Sequence, residues 1–293
     1  MLDASKFRNL LYVLPSLAVY AAFVLLPILS SIGLGFTQWD GISAPIFVGL
    51  KNYTTLFADP VFYTALWNNL VLLAFYVALP LVIGLILAVV VTSIRTTEQL
   101  ALRTLYFMPY VMPTAVLGII WRWLYNPAFG PLNQALKAVG LKAIALPWLG
   151  SFAFALPAVG MVATWYYAGF CMAIFMSGLQ RIEPSLYDAA KVDGATPVQS
   201  FRYISVPSLL PEVRIVLLLT IIASIKSFDL IFTMTRGGPA NSTLVPNLYM
   251  YQLGFDLGRY GYASAVAVIG AILIFLVNGA IHRFMPAHRQ GGQ

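Results

Sequence analysis

Long apolar runs separated by short polar segments are the main pattern along the 293 residues of the chain. A helix that crosses a bilayer needs about 20 mostly apolar residues, and six runs meet that requirement. The six predicted spans are Leu10–Phe36, Asn68–Ile94, Thr104–Leu124, Leu156–Leu179, Val213–Thr235 and Tyr262–Phe284. No internal repeat and no long linker interrupts the series, so we predict a single all-α membrane domain over residues 1–293.

The composition supports a membrane protein and excludes two other classes. Hydrophobic residues make up 60% of the chain and charged residues 9%, whereas a soluble domain has about 45–50% and about 25%. The single cysteine, Cys171, excludes a disulfide framework within the chain. The net charge of +7 does not indicate nucleic-acid binding, because the basic residues are scattered around the ends of the apolar runs.

The distribution of lysine and arginine predicts the orientation of the spans. Six spans place both termini on one side of the membrane, and the more basic side is the cytoplasmic one. Ten basic residues lie in the termini and in the second and fourth loops, against six in the other loops. We therefore predict a multi-pass protein with both termini in the cytoplasm and with the fourth loop, residues 182–211, on the same side.

The fourth loop is unusually charged, and its first part predicts a short helix. Pro184 suits a first helical position, where its missing N–H would be unpaired in any case. Nothing breaks the helix before Val192, and Gly194 ends it because glycine readily adopts a positive φ angle.

A second short helix follows at once in the same loop. Thr196 is the predicted N-cap, Pro197 stands in the first turn, and Gln199 occupies the capping-box position. We expect this helix to run to about Ser205, before Pro207 interrupts it. Neither helix is long enough to be stable alone in water, so the pair must pack against something.

The same segment resembles the EAA loop of permeases of ATP-binding-cassette importers. In that family E-A-A-x-x-x-G is followed nine residues later by I-x-L-P, before the second-to-last span. The chain has Asp188-Ala189-Ala190, then Gly194, then Ile204-Ser-Val-Pro207, with every spacing kept. Aspartate replaces the glutamate and valine replaces the leucine, two changes that preserve charge and apolarity.

A later segment is similar to the carbohydrate importers within that class. Their permeases read F-x-x-F-D-x-I-x-x-x-T-x-G-G-P-x-x-x-T at the end of the fifth span. The matching residues here are Phe228, Asp229, Ile231, Thr235, Gly237, Gly238, Pro239 and Thr243.

The resemblance implies a permease subunit of a binding-protein-dependent sugar importer in the cytoplasmic (inner) membrane. Its implied partners are a second, similar permease, two copies of an ATPase subunit, an extracytoplasmic solute-binding protein, the sugar and membrane lipid. The fourth loop would dock on the ATPase, with Gly194 providing the sharp turn. The residues implied in this coupling are Asp188, Ala189, Ala190, Lys191, Asp193, Gly194 and Phe201.

No catalytic or metal site is visible in the chain. There is no G-x-x-x-x-G-K-[ST] phosphate loop, and no His/Cys/carboxylate cluster has metal-ligand spacing. The chain is therefore not expected to be an enzyme, and ATP and magnesium are expected on the partner subunits.

The substrate pathway is predicted from polar and aromatic residues inside the spans. Lys226 and Asp229 lie three residues apart, on one face of the predicted fifth helix. A charge at the bilayer centre costs roughly 2.5–3.5 kcal/mol, so both should avoid lipid. They either hydrogen-bond a passing solute or form an ion pair that joins two helices. The predicted pathway residues are Lys226, Ser227, Asp229, Trp165 and Tyr166.

Two other functions remain open. A secondary transporter or channel would act without ATP, but it would leave the two docking helices unexplained. A membrane enzyme would require a nucleophile–base or metal cluster. The sequence does not specify which sugar or sugar derivative would be carried.

Overall fold

A computed structural model describes residues 4–94 and 96–284. It is mostly helical and divides into two compact units. The first comprises the described residues up to Phe62 together with Tyr249–Leu273, and the second the described residues of Tyr63–Leu248 and those from Ile274 onward.

The first unit contains the first long helix and a small β-ribbon. Thr37–Gln38 pairs antiparallel with Ile46–Phe47, so that Thr37 faces Phe47. The other elements of this unit are the helices Ala4–Tyr20, Leu26–Leu34 and Lys51–Phe57, the π-helical turns Ala21–Leu25 and Gln252–Asp256, and the start of the helix Tyr260–Phe284.

The second unit holds most of the remaining helices. A π-helical turn at Ala74–Ala78 joins the helices Pro60–Leu73 and Leu79–Thr92. The further helices are Thr96–Val111, Thr114–Leu124, Pro131–Ala138, Ala155–Leu179, Pro184–Val192, Pro197–Ser200, Val206–Ser208, Leu210–Ile225, Asp229–Met234 and Pro246–Tyr251, with a 3-10 turn at Lys142–Ile144 and a π-helical turn at Phe201–Ser205.

Four helices in the described part of the chain are long and apolar enough to cross a bilayer. They are Tyr12–Leu34, Pro60–Thr92, Ala155–Leu179 and Tyr260–Ile281, and they correspond to the predicted first, second, fourth and sixth spans. Two bent pairs of helices meet the same criterion, so the chain has between four and six candidate spans.

The prediction of one unbroken helix for the third span is wrong. Its two parts, Glu98–Val111 and Thr114–Leu124, are bent by 98°. Pro113 lies between them and causes the break, because it has no N–H and restricts the residue before it to extended conformations. The Met112 N–H instead donates to the Pro109 carbonyl at 3.1 Å in a tight turn.

The predicted fifth span is also broken. Three residues, 226–228, separate the helix Leu210–Ile225 from the short helix Asp229–Met234. Lys226 and Asp229 therefore do not share one helical face, and that prediction is wrong. The break contains neither proline nor glycine, so its cause lies in contacts from other helices, described below.

Three of the prolines in helical segments share one arrangement. Pro27, Pro80 and Pro207 each stand two residues after a π-helical turn. A proline ring clashes with the carbonyl four residues earlier in a regular helix, and the wider π-helical turn moves that carbonyl away. Pro207 consequently lies within a helical segment, which contradicts the expectation that it would interrupt the second short helix.

The core of the second unit lies between the helices Leu79–Thr92 and Ala155–Leu179. Glycines allow close approach there: Gly84 faces Cys171 and Met172, and Gly169 faces the Tyr106 backbone. Small residues at helix–helix contacts are typical of membrane proteins, because packing rather than water exclusion holds the helices together.

Candidate functional site

The breaks in the predicted third and fifth spans, both in the second unit, meet each other. The Thr114 hydroxyl, directly after Pro113, donates to Asp229 Oδ2 at 2.7 Å. One turn further along, Gly118 packs against the Thr233 side chain without room for a Cβ atom. We call residues 112–114 and 226–229 the broken-helix centre.

Asparagine side chains hold the break in the fifth segment open. Asn69 Nδ2 donates to the Ser224 carbonyl at 2.9 Å, and Asn247 Nδ2 donates to the Ile225 carbonyl at 3.2 Å. A helix that ends within the membrane leaves carbonyls that water cannot satisfy. The Asn247 amide supplies a donor to the Ile225 carbonyl, and the Asn69 amide adds one to the Ser224 carbonyl, which also accepts from the Ser227 N–H. These contacts satisfy the end of a helix that has neither glycine nor proline.

Asn68 performs a similar role for the loop that follows. Its Nδ2 donates to the Asn241 and Leu244 carbonyls at 3.0 and 2.9 Å. The loop is also fixed by Thr243, whose hydroxyl lies 2.8 Å from the Thr235 hydroxyl. Sequence reasoning missed this hydrogen-bonding role of Asn68 and Asn69. The available signal was the cost of burying an unpaired amide in an apolar helix.

The predicted pathway residues divide into exposed and buried groups. Lys226 and Asp229 are exposed, and no ion pair joins them among the residues that the structure describes. Ser227 is buried and lies 3.4 Å from Asn69 Nδ2. The structure thus brings Lys226, Ser227 and Asp229 to one break, but gives no ion pair between the two charges.

The two predicted aromatic residues point in different directions. Tyr166 is buried in a ring cluster, with its centroid 5.1 Å from Tyr110 and 4.9 Å from Tyr167. It lies within electrostatic range of Asp229. Trp165 is 44% exposed and packs edge-on against Trp121. Tyr166 therefore lies in a buried ring cluster, whereas Trp165 is at the surface.

The predicted coupling residues lie on a helical hairpin, residues 184–208, which we call the Pro184 hairpin. Pro184 is in the first turn of the helix Pro184–Val192, as predicted. Gly194 has φ +78° with open space where a Cβ would stand. The Gly194 N–H donates to the Lys191 carbonyl and the Ala195 N–H to the Ala190 carbonyl, which is a Schellman motif.

The second part of the hairpin begins with the predicted capping box. The Gln199 N–H donates to Thr196 Oγ1 at 3.3 Å, and the Thr196 N–H donates to Gln199 Oε1 at 2.7 Å. A hydrogen bond of 2.8 Å between the Tyr187 and Ser205 hydroxyls then joins the two arms. The hairpin is therefore rigid although both arms are short.

Most of the coupling residues are at the surface of the hairpin. Asp188 and Lys191 form an exposed ion pair of 3.1 Å, and Ala189 and Asp193 are exposed beside it. Ala190 and Phe201 are half-buried. Phe201 lines a groove of about 530 Å³ together with Tyr187, Lys191, Thr92 and Ser93.

A single helix, Leu210–Ile225, connects the hairpin to the broken-helix centre. Its last helical residue, Ser208, is followed after one residue by the helix Leu210–Ile225, at a bend of 63°. Glu212, which is only 2% exposed, pairs with Arg181 at the base of this helix. Sixteen helical residues, about 24 Å, separate the hairpin from Lys226.

Comparison with known proteins gives a consistent set of similarities. The model of the family described as binding-protein-dependent transport system inner membrane component matches residues 80–290. A probable ABC transporter permease protein of Bacillus subtilis is 34% identical over 95% of this chain and 96% of its own length. The diacetylchitobiose uptake system permease protein of Streptomyces coelicolor is 34% identical over 89% of this chain and 79% of its own length.

The fold itself is shared with a solved transporter chain. A chain in the crystal structure of the bacterial alginate ABC transporter, in complex with its alginate pentasaccharide-bound periplasmic protein, superposes with a TM-score of 0.81. The alignment covers 98% of both chains at 23% sequence identity.

Proposed function

Because the chain belongs to the family of binding-protein-dependent transport system inner membrane components, we propose that it forms half of the translocation pathway of an ATP-driven importer for a sugar or related polyhydroxy solute. Its partners in this proposal are a second, similar permease, two ATPase subunits and an extracytoplasmic binding protein. ATP hydrolysis takes place on the ATPase subunits, and this chain converts their movement into opening and closing of the pathway.

The exposed surface of the Pro184 hairpin is the observation that carries the coupling role. Val192, Val198 and Tyr203 are 87%, 74% and 71% exposed. Charged Asp188 and Lys191 stand beside them. An apolar patch with a charged rim is typical of a protein–protein contact, and a rigid, capped element can transmit force without first having to fold.

The continuity of the hairpin with the helix Leu210–Ile225 supports the direction of coupling. A movement of the hairpin shifts this helix as a rigid rod. The far end of the rod is the broken-helix centre, where Lys226 and Asp229 are exposed and Thr114 holds the Asp229 carboxylate. We propose that the solute passes this centre.

The six-span topology is part of the same proposal. The helices Glu98–Val111 and Thr114–Leu124 together count as one crossing, and Leu210–Ile225 with Asp229–Met234 counts as another. Both termini are cytoplasmic, and the Pro184 hairpin lies on the cytoplasmic side. The Gly261 N–H contacts the Trp39 carbonyl at 3.4 Å. The loops after the first and fifth spans thus lie on one side, as an even number of intervening crossings requires.

The sugar class follows from the relatives and from the sequence motif. The Streptomyces relative is named for uptake of diacetylchitobiose, and the solved transporter carries alginate. The segment from Phe228 to Thr243 has the carbohydrate-importer pattern, and in this chain it forms the hydrogen-bonded loop at the broken-helix centre.

Substitution of Gly194 by valine tests the coupling role. A β-branched residue at φ +78° costs about 1–3 kcal/mol and distorts the turn without meeting any neighbour. We expect ATPase activity that no longer responds to solute, and loss of uptake, in proteoliposomes that contain the complete importer.

Gly140→Val is the matched control. Gly140 has φ +84°, open space at its Cβ position and the same two cap hydrogen bonds, but it lies outside the hairpin. It should leave coupling intact. Normal uptake by Gly194→Val, or uptake by the chain in liposomes without any ATPase, would overturn the proposal, and the second result would favour an ATP-independent transporter.

A further inference from the structure

A polar pocket of about 330 Å³ opens in the first unit, which contains none of the residues of the broken-helix centre. The loop after the first span supplies one wall and the residues before the last helix supply the other. Its main polar lining residues are Gln38, Asp40, Lys51, Asn52, Thr55 and Arg259.

The backbone around the pocket is closely packed and well defined. Gly261 lies against the Thr37 carbonyl with no room for a Cβ atom, and Gly41, at φ +90°, lies against the Tyr260 ring. Asn52 Nδ2 donates to the Gly35 and Thr37 carbonyls at 3.0 and 2.8 Å. Its Oδ1 therefore remains available to a ligand as an acceptor.

Trp39 provides a fixed aromatic surface at the pocket. Its Nε1 donates to the Ser43 carbonyl at 2.7 Å, and its ring packs against Tyr260 at 5.5 Å. A half-buried indole with its N–H already bonded presents an apolar face beside polar groups. That combination suits a sugar ring, which has both C–H faces and hydroxyl edges.

The charge of the pocket is positive. Lys51 and Arg259 have no ion-pair partner in the part of the chain that the structure describes. The carboxylate of Asp40 accepts hydrogen bonds from the Ile42 N–H, the Ser43 N–H and the Ser43 hydroxyl through Oδ1. These bonds, that from Ile42 first, lower the pKa of Asp40 to about 2, so this group stays ionised and fixed in its turn.

Another carboxylate of the first unit, that of Asp59, is occupied by tyrosines. The Tyr249 and Tyr262 hydroxyls both donate to Asp59 Oδ2. The guanidinium of Arg259 instead lies over the Tyr262 ring, 5.2 Å from its centroid. The charged residues that line the pocket are thus two cations and one hydrogen-bonded anion, and this excess of positive charge favours a ligand with a negative charge.

We propose that this pocket is an entry subsite that binds an acidic saccharide unit, with Lys51 and Arg259 on its anionic group and Trp39 against its ring. The proposal rests on the proposed function, because it requires this side of the chain to face the incoming solute. It adds a preference for negatively charged sugars and a binding point separate from the broken-helix centre.

Direct binding measurements without ATP test the subsite. The assembled importer in lipid nanodiscs is titrated with trigalacturonate and, separately, with maltotriose, and saturation is followed by NMR of the sugar. We expect saturable binding of trigalacturonate that weakens with added salt, and weaker binding of neutral maltotriose. Arg259→Gln and Lys51→Gln should each weaken trigalacturonate binding about tenfold, the effect of losing one charge-assisted hydrogen bond.

Two further variants complete the design. Trp39→Ala should weaken both sugars, and Lys142→Gln, which removes an exposed cation outside the pocket, should weaken neither. Failure of both sugars to saturate, equal affinity for the two, or unchanged binding by both glutamine variants overturns the subsite. Variants that weaken only association with the binding protein also overturn it, in favour of a protein contact.

The outcomes separate this proposal from the proposed function. The binding assay contains no ATP and does not depend on the Pro184 hairpin. If the subsite variants lose sugar binding but ATP-coupled uptake is intact, the importer function stands. If uptake is uncoupled from ATP but trigalacturonate binds normally, the subsite stands and the proposed function fails.

Discussion

Two short helices of the second unit have the same local sequence features but differ in how they contact the rest of the chain. Pro131–Ala138 and Pro184–Val192 both begin with proline and carry a lysine in the last turn. Both finish with a Schellman motif at a glycine of positive φ, +84° at Gly140 and +78° at Gly194. Backbone chemistry alone would give them the same role.

Their difference is one buried amide. Asn133 is 2% exposed, donates to the Leu146 carbonyl at 2.9 Å and accepts from Trp148 Nε1 at 2.8 Å. The helix Pro184–Val192 contains no buried residue. Caps therefore determine where each helix ends, and the buried amide of Asn133 fastens the helix Pro131–Ala138 to the loop that follows it. We expect the helix Pro184–Val192 to be presented to a partner subunit instead.

A negative charge on the presented surface should have the largest effect. Val192→Glu places a carboxylate where we expect the ATPase to cover an 87% exposed valine. Burying that charge without a partner is costly, so recovery of the ATPase subunit with the tagged permease should fall by at least about tenfold.

Val139→Glu distinguishes the two helices directly. Val139 is 71% exposed and caps the Pro131 helix, so its substitution introduces the same chemistry outside the hairpin. ATPase recovery should stay at the level of the unmodified chain. Equal losses in the two variants would show that the hairpin has no special contact.

Removal of the buried anchor should have an intermediate effect, on stability rather than on coupling. Asn133→Ala leaves the Leu146 carbonyl and the Trp148 N–H without partners, and we expect the free energy of unfolding to fall by about 1–3 kcal/mol. Ser185→Ala, on the exposed face of the other helix, should change it by less than about 0.5 kcal/mol.

Denaturant titration of the purified permease measures both variants. ATPase recovery with Asn133→Ala should remain normal. A stable Asn133→Ala protein would mean that the Pro131 helix is held by its caps alone, and the proposed difference between the two helices would disappear.

The residues of the Pro184 hairpin illustrate what a sequence can predict. Pro184, Gly194 and the Thr196–Gln199 box act through their immediate neighbours, and the two helix starts and the first helix end that they predict agree with the structure. The end predicted from Pro207 does not agree, because the helical segment continues through it. Four long apolar helices were predictable for the same reason, since length and composition are local properties.

The broken-helix centre illustrates what a sequence hides. The gap after Ile225 has no local breaker and depends on amides of Asn69 and Asn247, which are distant in the chain. A run of apolar residues cannot reveal such donors. The break at Pro113 was more accessible, because Met112-Pro113 carries a local signal; the prediction of the third span treated Pro113 as tolerated within a membrane helix.

Loss of the capping box should have the smallest effect, a local loss of stability in the second arm of the Pro184 hairpin. Thr196→Ala removes the acceptor for the Gln199 N–H, which costs about 1 kcal/mol, whereas Thr196→Ser retains it. The second arm also keeps the Tyr187–Ser205 hydrogen bond, so the hairpin should persist with a frayed start. Hydrogen exchange at the amides of residues 198–200 should accelerate in the alanine variant about fivefold, the factor for 1 kcal/mol, and remain unchanged in the serine variant. If the alanine variant exchanges at the unmodified rate, the second arm is held by its packing partners and not by its own cap. The Pro184 hairpin and the helix Pro131–Ala138 would then differ in more than the buried side chain of Asn133.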